Sequence, residues 1–205
     1  GVFSKDARQA PEWRMGWFII IGSMPIVLLG IGLESLIDRQ FRNLWFIGSM
    51  LIIMGLVLGL AERYGRKTSP ISDLTFTHAI AFGFAQACAL VPGVSRSGAT
   101  ISMGLFLGYE RQAATRYAFL LAIPAVVGAG IYKLKDIPGS ENAYGVMPTI
   151  VGTVVSFLVG LAVIHWLLKY VSSHSYAPFV IYRVILGSLV LILLWAGVIN
   201  PIVVA

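Results

Sequence analysis

Five uncharged apolar runs limit what this chain can fold into: Gly16 to Leu33, Leu44 to Ala61, Tyr117 to Tyr132, Val146 to Ile164 and Val184 to Ala205. Each is close to the roughly 17 to 25 residues that cross a bilayer as a helix. The chain is 58% hydrophobic and only 12% charged, whereas a soluble domain carries about a quarter charged residues. The expected fold is all-α: one integral membrane domain over residues 1–205, built as a polytopic helix bundle. Its spans are expected at about 16–37, 44–61, 117–132, 146–168 and 179–200. Pro25, Pro124 and Pro148 do not oppose this, because neighbouring helices resatisfy the backbone groups that a proline frees.

The formal charge of +6 does not point to nucleic acid. The basic residues stand singly or in small groups at the ends of apolar runs, where they act as topology signals. The one cysteine, Cys88, has no intramolecular disulfide partner and reads as a small packing residue. The first fifteen residues form a polar stretch with Lys5, Arg8 and Arg14 and lack the apolar core of a signal peptide.

A sixth apolar segment, Ala79 to Tyr109, is 31 residues long. As one straight helix it would measure roughly 46 Å, against a hydrocarbon core of about 30 Å. Pro92-Gly93 divides it into two arms, each roughly 20 Å long and too short to cross alone. A re-entrant hairpin over about 79–109 is the expected solution, its irregular backbone buried in protein or lining a wet cavity. Charge bias agrees. A hairpin that enters and leaves on one face places Lys5, Arg8, Arg14, Arg63, Arg66, Lys67, Arg111, Arg116 and Lys169 on that face, and Arg39, Arg42, Lys133 and Lys135 on the other. A full crossing weakens this positive-inside bias.

The break carries Pro92-Gly93-Val94-Ser95-Arg96-Ser97-Gly98-Ala99-Thr100. An arginine inside an apolar run is costly and marks a functional site by default. A helix restarting near Ser95 to Ser97 would leave the N–H groups of Ser97, Gly98 and Ala99 without intrahelical partners. Free N–H donors, the positive end of a helix dipole and a bidentate guanidinium together suit a phosphate. Gly93 and Gly98 would let backbone approach an oxyanion. Arg96 would supply the cation, and Ser95, Ser97 and Thr100 would donate hydroxyls, one of them as nucleophile. Gln86 reads equally as a ligand of substrate or metal-bound water and as a bridge between helices, while Ser102 reads as packing. His78 and His165 read as interfacial, and Glu34 and Arg183, near span ends, as snorkelling or paired. Between Thr75 and Tyr109 there is no Asp or Glu, so no metal ligands are expected within this chain's motif.

The run Gly83 to Ser102, with its Pro-Gly-x-Ser-Arg-Ser-Gly-x-Thr core, followed by Phe119-Leu120-Leu121-Ala122-Ile123-Pro124, resembles the bacterial undecaprenyl-diphosphate phosphatase family of the bacitracin-resistance type. The resemblance implies a multi-pass enzyme of the bacterial cytoplasmic membrane. It would convert undecaprenyl diphosphate to the monophosphate, recycle the lipid carrier for cell-wall synthesis and confer bacitracin resistance. It implies an inverted-repeat fold with two re-entrant hairpins. Arg96 would clamp the diphosphate, Ser95, Ser97 and Thr100 would line the pocket, and Gln86 would lie near it. The resemblance also implies a divalent cation, magnesium or calcium, and allows a homodimer. The family's Glu-x-x-x-Glu-Phe-Leu-Pro and Ser-Ser-x-Gly-His motifs do not occur here, so the chain is expected to correspond to the later three quarters or so of a member, with the cation's ligands upstream. Two alternatives stay open from the residues: a lipid or solute transporter or flippase, and an incomplete fragment that only binds prenyl phosphates.

Overall fold

The computed structural model describes residues 11–40, 43–133 and 145–201. Lys5, Arg8, Arg42 and Lys135 lie outside the described residues, as do the side chains of Glu34 and Arg39. Seven α-helices make up nearly all of it: α1 (Pro11–Gln40), α2 (Leu44–Tyr64), α3 (Phe76–Ala87), α4 (Arg96–Phe106), α5 (Arg111–Lys133), α6 (Val146–Ser173) and α7 (Ala177–Trp195). Single 3-10 turns at Ile71–Asp73 and Cys88–Leu90 precede and follow α3.

Five helices, α1, α2, α5, α6 and α7, are long and apolar enough to cross a membrane. Their outer faces are apolar as well: Val155, Phe157 and Leu158 on α6 are each more than half exposed. Lipid is the solvent such a surface suits, since its tails are as apolar as leucine. The fold is therefore a polytopic membrane bundle.

The two short helices form a hairpin in its middle. α3 has 12 residues and α4 has 11, about 18 and 17 Å. α3 lies against α1, α4 against α2 and α5, and the two arms against each other, while α2 runs along α7. Small residues set the closest approach. A Cβ placed on Gly83 would fall 2.4 Å from the Gly22 carbonyl oxygen and 3.0 Å from Pro25 Cγ, so α3 reaches α1 only because neither position carries a side chain. Between the arms, Phe82 faces Gly104 and packs edge-on against Tyr117, with ring centroids 4.8 Å apart.

The hairpin's two feet are tied to each other. The N–H groups of Thr68 and Ser69 donate to the Gly108 carbonyl at 2.9 and 3.0 Å, and Glu110 N–H donates back to the Ser69 carbonyl at 2.9 Å. Tyr109 Oη donates to the Asp73 carbonyl at 3.2 Å and meets His78 Nδ1 at 2.7 Å. His78 thus has a fixed partner at the foot. Nearby, a bidentate Arg111–Glu62 ion pair, with Arg111 Nε 3.0 Å from Glu62 Oε1, joins the start of α5 to the end of α2. Tyr176 Oη, at the start of α7, donates to the Arg111 carbonyl at 3.2 Å. Segments that would otherwise be separate loops are thereby bound into one plate at one end of the bundle.

Two outcomes test this packing. Gly83→Ala should destabilise the protein by about 1–3 kcal/mol, as overpacking of a tight contact does, read as a lower melting temperature in detergent. The second follows from Tyr109, whose phenol is pushed up to about 12 from its usual 10.0, first by burial and then by the charge of Asp73. The fold favours the neutral phenol, so this contribution is complete below pH 10 and is lost as pH rises toward 12. Tyr176, also raised to about 12 by burial, titrates in the same window. Melting temperature should fall between pH 10 and 12, and Tyr109→Phe should make that fall shallower.

Candidate functional site

The tip of the hairpin is built from backbone first. After Ala87 the helix tightens, with Val91 N–H donating to the Cys88 carbonyl and Val94 N–H to the Val91 carbonyl, each at 3.1 Å. Gly93 turns the chain at φ 89°, a left-handed conformation that side chains strain against. A Cβ there would also fall 2.7 Å from the Ile47 carbonyl oxygen. Glycine is required twice over at this position, for the turn and for the contact with α2.

Ser95 restarts the chain as the N-cap of α4, its Oγ accepting from Gly98 N–H at 3.1 Å. Ala99 N–H donates to the Ser95 carbonyl at 2.8 Å. The expectation of three free N–H groups at Ser97, Gly98 and Ala99 is corrected accordingly. Gly98 and Ala99 are satisfied by Ser95, whereas the N–H groups of Arg96 and Ser97 in the first turn of α4 have no acceptor among the described residues. The physical reason is that a serine cap moves the helix start one residue earlier and consumes a donor.

The side chains divide in the same way. Arg96 is half-buried and has no carboxylate partner among the described residues. Ser97 Oγ lies 3.3 Å from Ser95 Oγ, so its hydroxyl stands beside the capping one. Thr100 is fully buried, and its hydroxyl donates back to the Arg96 carbonyl at 2.8 Å. Ser102 does the same to the Gly98 carbonyl at 2.7 Å, in keeping with a packing role. Gln86 is also fully buried, yet neither atom of its amide has a hydrogen-bond partner among the described residues. Gln86 lies near the end of α3, six residues before Pro92. A buried amide without partners costs about 1–3 kcal/mol, so Gln86 does not act as a polar bridge between helices and stays a candidate to meet a polar ligand.

Two sequence readings change. Arg183 neither snorkels nor pairs with an acid: its Nη2 donates to the Gly93 carbonyl at 2.8 Å, across 90 residues of chain, and its Nε is buried without a partner. The signal for it was the charge inside α7, the same signal that singled out Arg96. Cys88 is exposed, turned outward by the 3-10 step rather than packed.

The donor set is thus two guanidiniums, two N–H groups, hydroxyls and an amide. Among the described residues no group of three His, Cys, Asp or Glu could hold a metal ion. Two arginines with no carboxylate suit an anion, and among the described residues this donor set offers no ligands to a magnesium or calcium ion.

The profile of bacitracin resistance protein BacA matches residues 1–189. The chain belongs to that family. Among its relatives, a protein of Nocardioides sp. named undecaprenyl-diphosphatase is 60% identical over 198 residues, covering 97% of this chain and 72% of the relative. One of the same name from Micrococcus luteus is 53% identical over 193 residues, covering 93% and 70%. Undecaprenyl-diphosphatase 2 of Agrobacterium fabrum is 53% identical over 187 residues, covering 91% and 67%. The BacA match includes the whole hairpin, both of its feet and Arg183.

In this BacA-family chain the contact from Arg183 to Gly93 is the one side-chain hydrogen bond that reaches the tip from α7 among the described residues. Bonds of this charged kind contribute about 1.5–3 kcal/mol. Arg183→Ala should therefore speed amide hydrogen exchange over Val91 to Val94 by roughly tenfold to a hundredfold, with partial recovery in Arg183→Lys.

Proposed function

We propose that the chain hydrolyses undecaprenyl diphosphate to undecaprenyl phosphate and inorganic phosphate, with the hairpin tip as the seat of the terminal phosphate. The observation that carries this reading is the half-buried Arg96 guanidinium, without a carboxylate partner, beside the two unsatisfied N–H groups at the start of α4. A phosphate oxyanion is the group that satisfies all of these at once. Membership of the BacA family and the names of its relatives support the same substrate. On this reading the activity recycles the lipid carrier, gives bacitracin resistance and resides in the bacterial cytoplasmic membrane, entered by the hairpin from one face only.

This reading gives each residue a role. Arg96 and the N–H groups of Arg96 and Ser97 hold the non-bridging oxygens and take up charge as the bond to the bridging oxygen breaks. Overall, the oxygen of water forms the new bond to the terminal phosphorus as that bond opens, undecaprenyl phosphate leaves with the bridging oxygen, and the protons of water go to the released phosphate and to solvent. Ser97 bears the freer hydroxyl and is the one that touches substrate, whereas Ser95 is held by its cap and sets the position of Ser97. Gly93 and Gly98 keep the approach open, Thr100 braces the first turn of α4 from behind, and the buried, unpartnered amide of Gln86 is a further contact for the substrate head.

Phosphate release from undecaprenyl diphosphate in detergent, measured on this chain and on Arg96→Ala, tests the reading. Loss of one oxyanion donor typically lowers turnover about 10²–10³-fold, so a drop of that size is expected, with partial retention in Arg96→Lys. Release in Arg96→Ala within about threefold of the parent would refute the assignment. Movement of labelled lipid across vesicles without phosphate release would instead make the chain a transporter.

A further inference from the structure

At the other end of the hairpin from the tip lies a cavity of about 560 Å³, framed by the start of α1, the 3-10 turn at Ile71–Asp73 and the first turns of α5. None of the residues assigned to the phosphate site lines it. Its floor is apolar, with Phe18, Ile19 and Leu120 among the lining residues, and its rim carries Arg14, Arg116 and Glu12. Both arginines are exposed and neither has an ion-pair partner among the described residues. Arg14 lies over the Phe18 ring, its Cζ 5.7 Å from the centroid, so its charge stands at the edge of the apolar floor rather than out in water.

Two further observations place this cavity at a lipid headgroup level. Trp13 and Trp17 stack edge-on beside it with centroids 6.0 Å apart, and Trp17 is half-exposed. Paired tryptophans at the end of a span mark the boundary between hydrocarbon and headgroups. Arg63, Arg66, Lys67 and Arg111 cluster at the same end of the bundle, around the tied feet, the pattern of a cytoplasmic face.

We propose that this cavity is a binding site for an anionic glycerophospholipid of the cytoplasmic leaflet, its phosphodiester held by Arg14 and Arg116 and its acyl chains on Phe18, Ile19 and Leu120. Charge selects this occupant. The rim holds two guanidiniums and one carboxylate, a net charge of one positive. A phosphodiester lipid with a single negative charge neutralises it. A zwitterionic lipid leaves the excess uncompensated, and the doubly charged head of a prenyl monophosphate exceeds it. The apolar floor separates a lipid from free inorganic phosphate, which would have nothing to bury there.

The test is native mass spectrometry of the full chain in detergent, titrated with phosphatidylglycerol and, separately, phosphatidylcholine. Each arginine near a headgroup contributes about a fivefold preference. Phosphatidylglycerol should therefore bind at least fivefold more tightly than phosphatidylcholine, a preference lost in Arg14→Gln/Arg116→Gln and kept in Arg14→Lys/Arg116→Lys. Should the double glutamine variant not fold, Arg116→Gln alone should lower the preference by about fivefold. Equal binding of the two lipids, or a preference unchanged by removing the arginines, would overturn the proposal. So would displacement of phosphatidylglycerol by millimolar inorganic phosphate, or by an equimolar amount of undecaprenyl phosphate.

Discussion

Backbone that leaves the helix inside a hydrocarbon slab must find its hydrogen bonds within the protein, and everything else here depends on how the chain meets that demand at Pro92-Gly93. The turn closes on itself through Val91 and Val94. The Gly93 carbonyl, exposed by the break, takes its bond from Arg183 of a helix far along the chain. Ser95 then absorbs a donor at the restart and leaves those of Arg96 and Ser97 for a ligand. The anion site is what remains of an unavoidable defect after the rest of it has been repaired.

Burying the hairpin carries its own demands. The arms approach α1, α2 and each other through Gly83, Gly93 and Gly104, where side chains would collide with backbone or with Phe82. The feet are bound by short backbone hydrogen bonds, a tyrosine and the Glu62–Arg111 pair. The motif therefore constrains residues well away from its own nine positions. The BacA match accordingly runs across residues 1–189 rather than around the motif alone.

Much of this was legible in the sequence, for physical reasons. Span-length apolar runs report the solvent directly, and a Pro-Gly pair within a run too long for one crossing and too short for two reports a hairpin. Charged residues inside such runs report the site, and Arg96 was legible on that ground. Arg183 gave the same signal, but its partner is a backbone carbonyl 90 residues away, and no spacing in one sequence encodes that. The direction of Thr100 and the exposure of Cys88 depended on where the helix begins and where it tightens. Those are shifts of one residue, smaller than apolar periodicity resolves.

Arm length fixes a depth. If the hairpin enters from one face, as proposed, arms of about 17–18 Å would carry the tip slightly past the centre of a hydrocarbon layer about 30 Å thick. A substrate headgroup resting at the surface of either leaflet would have to descend roughly 15 Å to reach Arg96, while its hydrocarbon tail stays in the lipid. A lateral opening between helices would, on this reading, let the head pass in while the long prenyl chain stays in the lipid. On the proposed reading, turnover is governed by how often a lipid makes that descent, and membrane thickness becomes a determinant of rate.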